Sequence, residues 1–361
     1  VRSGLRILVD AYWWSAGPPS GRNVVRSFVR TWTELHPEDT LVLEVRPGHV
    51  DQVRRDLGSQ GIGAEVRGAP AWARVHALAA LTLGSRSTGF DAVFTQNFAA
   101  LSLRACSAVF VHDAMFAEHP EWFGARERGY LALLRPSLRR AQVVLTSSHT
   151  EAARIQRVWP ETRGRVLAVG LNPPRDFADA KDVRPAAADG HPYVLAVGRI
   201  NVRKNLRRLV EAFLRDPLPA DHHLYIVGRP DGLAEIIPEG DERIVVLDDV
   251  DDAQLRWLYR HAEVFAFPSL DEGFGLPLVE ARSLGARAIV SDIPVFRELD
   301  IAEDYFDPTS VDDIVRALAA TRIRPETPAP EWQGSWAETV NATRAALVGT
   351  CANGGHRVAV A

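Results

Sequence analysis

The chain has 361 residues, 46% of them hydrophobic and 24% charged, with a formal net charge of −4. This is ordinary for a soluble globular protein with room for two cores, and no nucleic-acid partner is expected. Cys106 and Cys351 are too few and too far apart for a disulfide framework or a metal site, so a reducing compartment is expected.

The first residues lack a charged-then-apolar leader, and no stretch reaches about 18 uninterrupted apolar residues. A cytoplasmic protein without a transmembrane anchor is the expectation. The charge is unevenly spread: residues 1–170 hold 21 basic and 15 acidic side chains, net +6, and residues 171–361 hold 21 and 31, net −10. Two domains with different partners would produce that asymmetry, although drift in surface charge would too.

In chain order, Arg6 to Asp10 (RILVD) predicts a first strand. A Gly/Pro loop follows (Gly17-Pro18-Pro19-Ser20-Gly21), and Val25, Phe28, Val29 and Trp32 then recur at helical spacing. Such a loop can aim N–H groups at a phosphate or simply connect two elements, and it is not the GxGxxG fingerprint. LVLEV, a helix near 51–58, GAEV, a helix near 71–83 and DAVF continue a βαβ rhythm, which implies a parallel sheet. The strand Ala108–Val111 delivers His112 to its carboxyl end, where a lone histidine is either structural or a ligand contact.

Residues 126–140 read as a basic amphipathic segment with Tyr130, Leu131, Leu134 and Leu138 on one side. That side packs into a core, or the segment lies on a membrane surface. Residues 171–192, rich in Pro, Asp and Ala, form an expected interdomain linker. A second βα series follows: YVLAVGR, a helix over 204–215, HLYIVG, RIVVLDDV, a helix over 252–260, EVFAF, ARAIVS and a helix over 311–320. In DDVDD, Asp251 and Asp252 are expected to cap a helix rather than bind a metal. The boundaries are therefore 1–170 for the first domain, 193–330 for the second, a C-terminal helix over 331–349 returning toward the first, and a disordered tail over 350–361.

Within the second series, Glu272 and Glu280 flank Gly273-Phe274-Gly275-Leu276-Pro277. The run Val264–Phe267 ends in a loop carrying Glu272, and Pro277 opens a helix that carries Glu280 and stops at Gly285. Two carboxylates at that edge can each accept hydrogen bonds from neighbouring hydroxyls of a sugar or ribose. A loop acid and a helix-dipole acid are the plainer alternative. Only Lys181 and Lys204 are lysines among the 42 Lys+Arg residues, so position 204, beside Arg203, reads as needing a compact ammonium.

VLAVGR continuing INVRKNLRRLVEAF, with FPSLDEGFGLPLVEARSLGARAIVSDIP and SSHTEAARI, resembles the retaining glycosyltransferases of family 4. The resemblance is strong from about 141 to 310 and loose in the N-terminal quarter. It implies an α/β, GT-B fold, with two Rossmann-like domains whose parallel sheets face across a cleft. It implies that Arg199 and Lys204 neutralise a nucleotide diphosphate. Glu272, with the backbone N–H groups of Phe274, Gly275 and Leu276, would hold the donor sugar, and Glu280 the ribose. Gly198 would belong to the donor-binding turn, His112 would contact the transferred sugar, and Gly21 would admit the N-terminal loop to the phosphate. The family's Gly-Gly-Ile-Gly-type loop is replaced here by Gly17-Pro18-Pro19-Ser20-Gly21.

The implied reaction moves a hexose from a nucleotide-diphosphate sugar to an acceptor hydroxyl with retention, by front-face substitution, without a cofactor and without a metal. VHDAMFAEHPEWF resembles a segment of bacterial mannosyl- and rhamnosyltransferases of polysaccharide assembly, which puts mannose and rhamnose ahead of glucose. The acceptor would be a glycan, a lipid-linked glycan or a small molecule, and the basic N-terminal domain could touch the inner face of the plasma membrane. A non-catalytic sugar-nucleotide-binding module and a nucleotide-sugar epimerase are the alternatives.

Overall fold

Strands β1 (Arg6–Asp10), β2 (Thr40–Val45), β3 (Glu65–Gly68), β4 (Ala92–Gln96), β5 (Cys106–Phe110), β6 (Val143–Thr146) and β7 (Val166–Ala168) form one sheet. A second sheet comprises β8 (Tyr193–Val197), β9 (His223–Val227), β10 (Ile244–Leu247), β11 (Val264–Phe267), β12 (Ala288–Ser291) and β13 (Asp304–Phe306). These elements belong to a computed structural model that describes residues 4–352 except 16, 102–104, 176, 178–180, 216, 239 and 324–328. Most of the expected tail (353–361) and part of the expected linker lie outside the described residues.

Every strand pairing is parallel. The orders are β3-β2-β1-β4-β5-β6-β7 and β10-β9-β8-β11-β12-β13. The central strands are buried along nearly their whole length, as in VFAF and AIVS, because helices cover both faces of a parallel sheet. Their sequences are accordingly unbroken apolar runs rather than alternating ones. In each sheet the direction of winding reverses between two neighbours, β1 and β4 in one, β8 and β11 in the other. The crevice outside the carboxyl ends of such a pair is where open α/β sheets bind ligands.

The chain divides into two compact units, one of residues 1–118, 125–174 and 334–361, the other of residues 119–124 and 175–333. The C-terminal helix Trp336–Ala352 belongs to the first unit and packs on the helix Pro19–Leu35. Arg344 reaches both oxygens of Asp39, at 2.7 and 3.1 Å, and Trp336 Nε1 donates to the carbonyl of Pro173 at 2.7 Å.

Three features differ from the sequence expectation. Residues 126–140 form two short helices, Ala125–Leu131 and Leu134–Leu138, instead of one segment. Pro136 has no N–H to donate to the carbonyl of Ala132, and its ring crowds that carbonyl, so one continuous helix cannot pass. Leu134 and Leu138 are fully buried, which assigns the apolar side to the core. The short strand β13 and the helix Pro294–Leu299 have no counterpart in the periodicity reading. Asp251 caps the helix Asp252–His261: its carboxylate accepts from Gln254 N at 2.8 Å, and Gln254 Oε1 accepts from Asp251 N at 3.1 Å.

Candidate active site

The site of the second unit is built at the reversal between β8 and β11. After β8 the chain passes Gly198 and Arg199 into the short turn Val202–Lys204, where Asn201 Oδ1 accepts from Lys204 N at 3.3 Å. The Lys204 side chain then folds back under Gly198. Gly198 has φ +152°, a conformation that favours glycine, and a Cβ there would stand 3.0 Å from Lys204 Cε, so any side chain would also crowd the lysine.

Lys204 Nζ donates to Glu272 Oε1 at 2.6 Å and lies 4.6 Å from the centroid of the Phe267 ring. Arg203 Nη1 meets Glu272 Oε2 at 2.8 Å, and Ser269 Oγ donates to Oε1 at 2.7 Å. Glu272 N donates to Asp271 Oδ1 at 2.8 Å. Lys204 and Glu272 are both buried. Burial works to raise the Glu272 pKa, but Arg203 and Lys204 outweigh it and hold the carboxyl down at about 2. Burial, assisted by the like charges of Arg203 and Arg199, brings Lys204 down to about 8 against the attraction of Glu272. The result is a packed cluster of two cations on one carboxylate. Arg199 is exposed and pairs with Asp231 Oδ2 at 2.7 Å.

Past Glu272, Phe274 is buried and meets Trp332 edge-on at 5.9 Å. Gly275 caps the helix Leu276–Ser283 with φ +99° and ψ +47°, and a Cβ there would stand 2.6 Å from Phe296. Phe274, Gly275 and Leu276 therefore occupy the helix entrance, where the first N–H groups have no partner inside the helix. Glu280, one turn further, is half-buried, and its Oε2 accepts from Tyr259 Oη at 3.2 Å. Burial pushes the Glu280 carboxyl up to about 8, with the Tyr259 hydrogen bond acting against it.

In the first unit, His112 lies two residues past β5. Its backbone N–H donates to Asn97 Oδ1 at 3.1 Å, and its Nε2 is 2.9 Å from Gln96 Oε1 at the end of β4. At the end of the neighbouring β1, Asp10 Oδ2 is 2.7 Å from His76 Nε2, and both residues are buried. Trp13 packs at a tilt against His76 and His112, at centroid distances of 4.3 and 5.6 Å. Gly21 lies in the first turn of the helix Pro19–Leu35, and a Cβ on it would come 2.3 Å from the Trp13 ring.

The structure thus brings Lys204 to Glu272 and gathers Gly198, Phe274, Gly275, Leu276 and Glu280 at the same sheet edge. It adds Arg203, Ser269 and Tyr259 to that edge, and Asp10, His76, Gln96 and Trp13 to the first unit, none of which the sequence reading assigned to a site. Asp10 had a signal, a charge closing an apolar strand at the ligand edge. Tyr259 had none, because an aromatic on an amphipathic helix reads as core. Two groups among the described residues bring three metal-capable atoms within 4.8 Å of one another, Asp189/His191/His223 and His36/Glu38/Asp39. Neither includes a residue of the β8–β11 edge. Among the described residues, no helix is long and apolar enough to cross a membrane.

Two parallel Rossmann-like sheets define the GT-B fold class, and solved structures of that kind match nearly the full length of the chain. Sucrose-phosphate synthase from Thermosynechococcus elongatus matches with a TM-score of 0.61 at 16% identity, over 96% of this chain and 94% of that one. Anabaena Alr3699/HepE in complex with UDP-glucose matches with a TM-score of 0.60 at 14% identity, over 97% and 98%. Residues 191–321 match the family model "Glycosyl transferases group 1". It is 29% identical over 196 residues to the O-antigen chain mannosyltransferase RfbU of Salmonella typhimurium, covering 52% of this chain and 53% of that protein. It is 27% identical over 259 residues to O-antigen chain mannosyltransferase B of Escherichia coli, covering 64% and 68%. The chain therefore spans about half the length of the Salmonella relative.

Proposed function

We propose that the protein is a retaining glycosyltransferase that moves a hexose, mannose being favoured, from a nucleotide-diphosphate sugar to an acceptor hydroxyl. The observation that carries this reading is the buried Lys204–Glu272–Arg203 cluster at the β8–β11 reversal. The relatives named as O-antigen mannosyltransferases support mannose, and the HepE complex with UDP-glucose supports a nucleotide-sugar donor.

Negative charge develops on the diphosphate as the anomeric C–O bond breaks, and fixed cations there lower the barrier. Lys204 and Arg203 are held in place by Glu272, and Arg199 adds a third cation on the same turn. This charge is the reason the reading calls for no metal. A double-displacement route needs a carboxylate free to attack the anomeric carbon. Glu272 is instead bound through both oxygens to cations and Ser269, so it is assigned to orientation: its remaining lone pairs, with the N–H groups of Phe274, Gly275 and Leu276, receive and direct the sugar. Substitution then proceeds on one face, the acceptor oxygen bonding to carbon as the diphosphate departs and takes the acceptor proton. Glu280 is assigned to the ribose, and His112 to the transferred sugar.

The acceptor is a glycan, a lipid-linked glycan or a small molecule. Arg126, Arg128 and Arg135 on the two short helices, with Arg139 and Arg140 just after them, are exposed and are the residues proposed to meet an anionic membrane. Co-sedimentation with anionic liposomes at low salt checks that face, and a chain left in the supernatant removes it.

The central test is a panel of GDP-, UDP- and dTDP-sugars, scored for nucleoside-diphosphate release and for the anomeric configuration of the product. Release from GDP-mannose with an α-linked product is expected. Binding without release from any donor would convert the reading to a sugar-nucleotide-binding module.

A further inference from the structure

Glu280 carries a carboxylate into a half-buried position where burial and the like charge of Asp252 oppose its ionisation, and the Tyr259 hydrogen bond and the charge of Lys204 favour it. Among the described residues, no lysine, arginine or histidine forms an ion pair with it, and one side-chain hydrogen bond reaches it, from Tyr259 Oη at 3.2 Å. Tyr259 is itself fully buried, on the helix Asp252–His261, with its ring edge-on to Phe265 at 5.5 Å. The capping box at Asp251 anchors the start of that helix. The phenol is therefore a fixed donor aimed at one carboxylate oxygen, and its place in the core gives it no freedom to turn elsewhere.

We propose that Tyr259 is a positioning residue that holds Glu280 for a vicinal diol, and thereby makes the nucleotide site select ribonucleoside over deoxyribonucleoside diphosphates. The proposal rests on the assignment of Glu280 to the ribose. A carboxylate offers about four lone-pair directions. Tyr259 fills one on Oε2, which fixes the plane of the group and leaves Oε1 and the second Oε2 position for the ligand. A ribose supplies two neighbouring hydroxyl donors to those positions, and a 2′-deoxyribose supplies one.

The difference is amplified because the charge is buried. An uncompensated ionised carboxyl is disfavoured there, so Glu280 keeps its proton until enough donors surround it. Three donors, one phenol and two hydroxyls, favour ionisation and give charge-assisted hydrogen bonds. Two donors leave the carboxyl closer to neutral, with bonds roughly half as strong. The donor class that fits is a GDP- or UDP-sugar rather than a dTDP-sugar.

The test is calorimetric titration of the full chain with GDP, UDP and their 2′-deoxy forms at pH 6, 7 and 9, for the native protein, Tyr259→Phe and Glu280→Gln. The native chain is expected to bind the better ribonucleotide at least ~10-fold more tightly than its 2′-deoxy form at pH 7, as losing a hydrogen bond to a charged group implies. Tyr259→Phe should shrink that ratio to about 3-fold or less at pH 7 and recover it at pH 9, where Glu280 ionises without the phenol. A merely structural tyrosine would weaken all four ligands alike at every pH. The proposal is overturned if the native chain does not discriminate, which needs no variant to fold, or if Tyr259→Phe keeps the native ratio at pH 7. If Glu280→Gln keeps both native affinity and native discrimination, the ribose assignment falls as well, and donor turnover then decides the enzymatic reading separately.

Discussion

Lys204 Nζ and Glu272 Oε1 stand 2.6 Å apart although 68 positions separate the residues in the chain. The contact ties the turn after β8 to the loop after β11, the two strands between which the sheet reverses. It changes what the glutamate can do. A carboxylate committed to an ammonium, a guanidinium and a hydroxyl is a scaffold for positive charge, and the cations it holds are the groups proposed for the diphosphate.

Removing the ammonium should therefore cost catalysis more than stability. In Lys204→Ala, Glu272 keeps Arg203, so the fold loses little, while donor turnover should fall at least tenfold, about 1.4 kcal/mol of transition-state stabilisation. Steady-state nucleoside-diphosphate release measures it, and a loss under about threefold would remove Lys204 from the diphosphate role. Glu272→Gln should act oppositely on stability. It leaves the buried Lys204 ammonium without its counter-charge and takes one from the half-buried Arg203, and a loss of roughly 3 kcal/mol in urea unfolding is expected.

Nucleoside-diphosphate affinity should depend on pH with two opposed limbs. Lys204, brought down to about 8 by burial, loses its charge as pH rises through that value, so affinity falls on the alkaline side. Glu280, pushed up to about 8 by burial, gains its charge over the same range, so its contribution rises. Lys204→Ala should leave only the rising limb and Glu280→Gln only the falling one. Titrations between pH 6 and 10 separate the two.

The same two acids act with opposite sign on folding. Glu272 is held at about 2, below its ordinary 4.5, so its contribution is complete above 4.5 and disappears as pH falls toward 2. Glu280 is raised to about 8 from 4.5, so its contribution is complete below 4.5 and disappears as pH rises through 8. Thermal unfolding of Glu280→Gln should accordingly gain on the native chain between pH 5 and 8, by at least about 1 kcal/mol.

Gly198→Ala tests the passage of the Lys204 side chain. The new methyl would meet Lys204 Cε at 3.0 Å on a backbone with φ +152°, so both the strand end and the ammonium must shift. A stability loss of about 1–2 kcal/mol is expected, with weaker diphosphate binding. Normal affinity in a destabilised Gly198→Ala would show that Lys204 can reach its place by another path.

In the first unit, the buried Asp10–His76 contact is structural enough to predict. Asp10 also accepts from Tyr12 N at 3.1 Å, so Asp10→Ala leaves a buried histidine and a backbone N–H without their acceptor. A loss of about 3 kcal/mol by denaturant unfolding is expected. Because Trp13 rests on His76 and against Gly21, the tryptophan fluorescence should change along with it.

Read residue by residue, the chain announced its parallel sheets through runs such as RILVD, YVLAVGR and EVFAF. It announced its site edge through Gly198, Arg199, Lys204, Glu272 and Glu280, because local apolar runs, glycine turns and rare lysines are visible without any partner. The sequence by itself thus determined the strand-loop-helix units and which charged groups stand at strand ends. Only the tertiary structure decided what those groups meet. Strand order brings β8 beside β11, and that adjacency makes Glu272 the counter-ion of Lys204 and Arg203 as well as a candidate sugar ligand. It likewise places Tyr259, one aromatic among several on a helix, against Glu280. Partners far apart in the chain become neighbours through sheet topology and packing, and no spacing along a single segment records that.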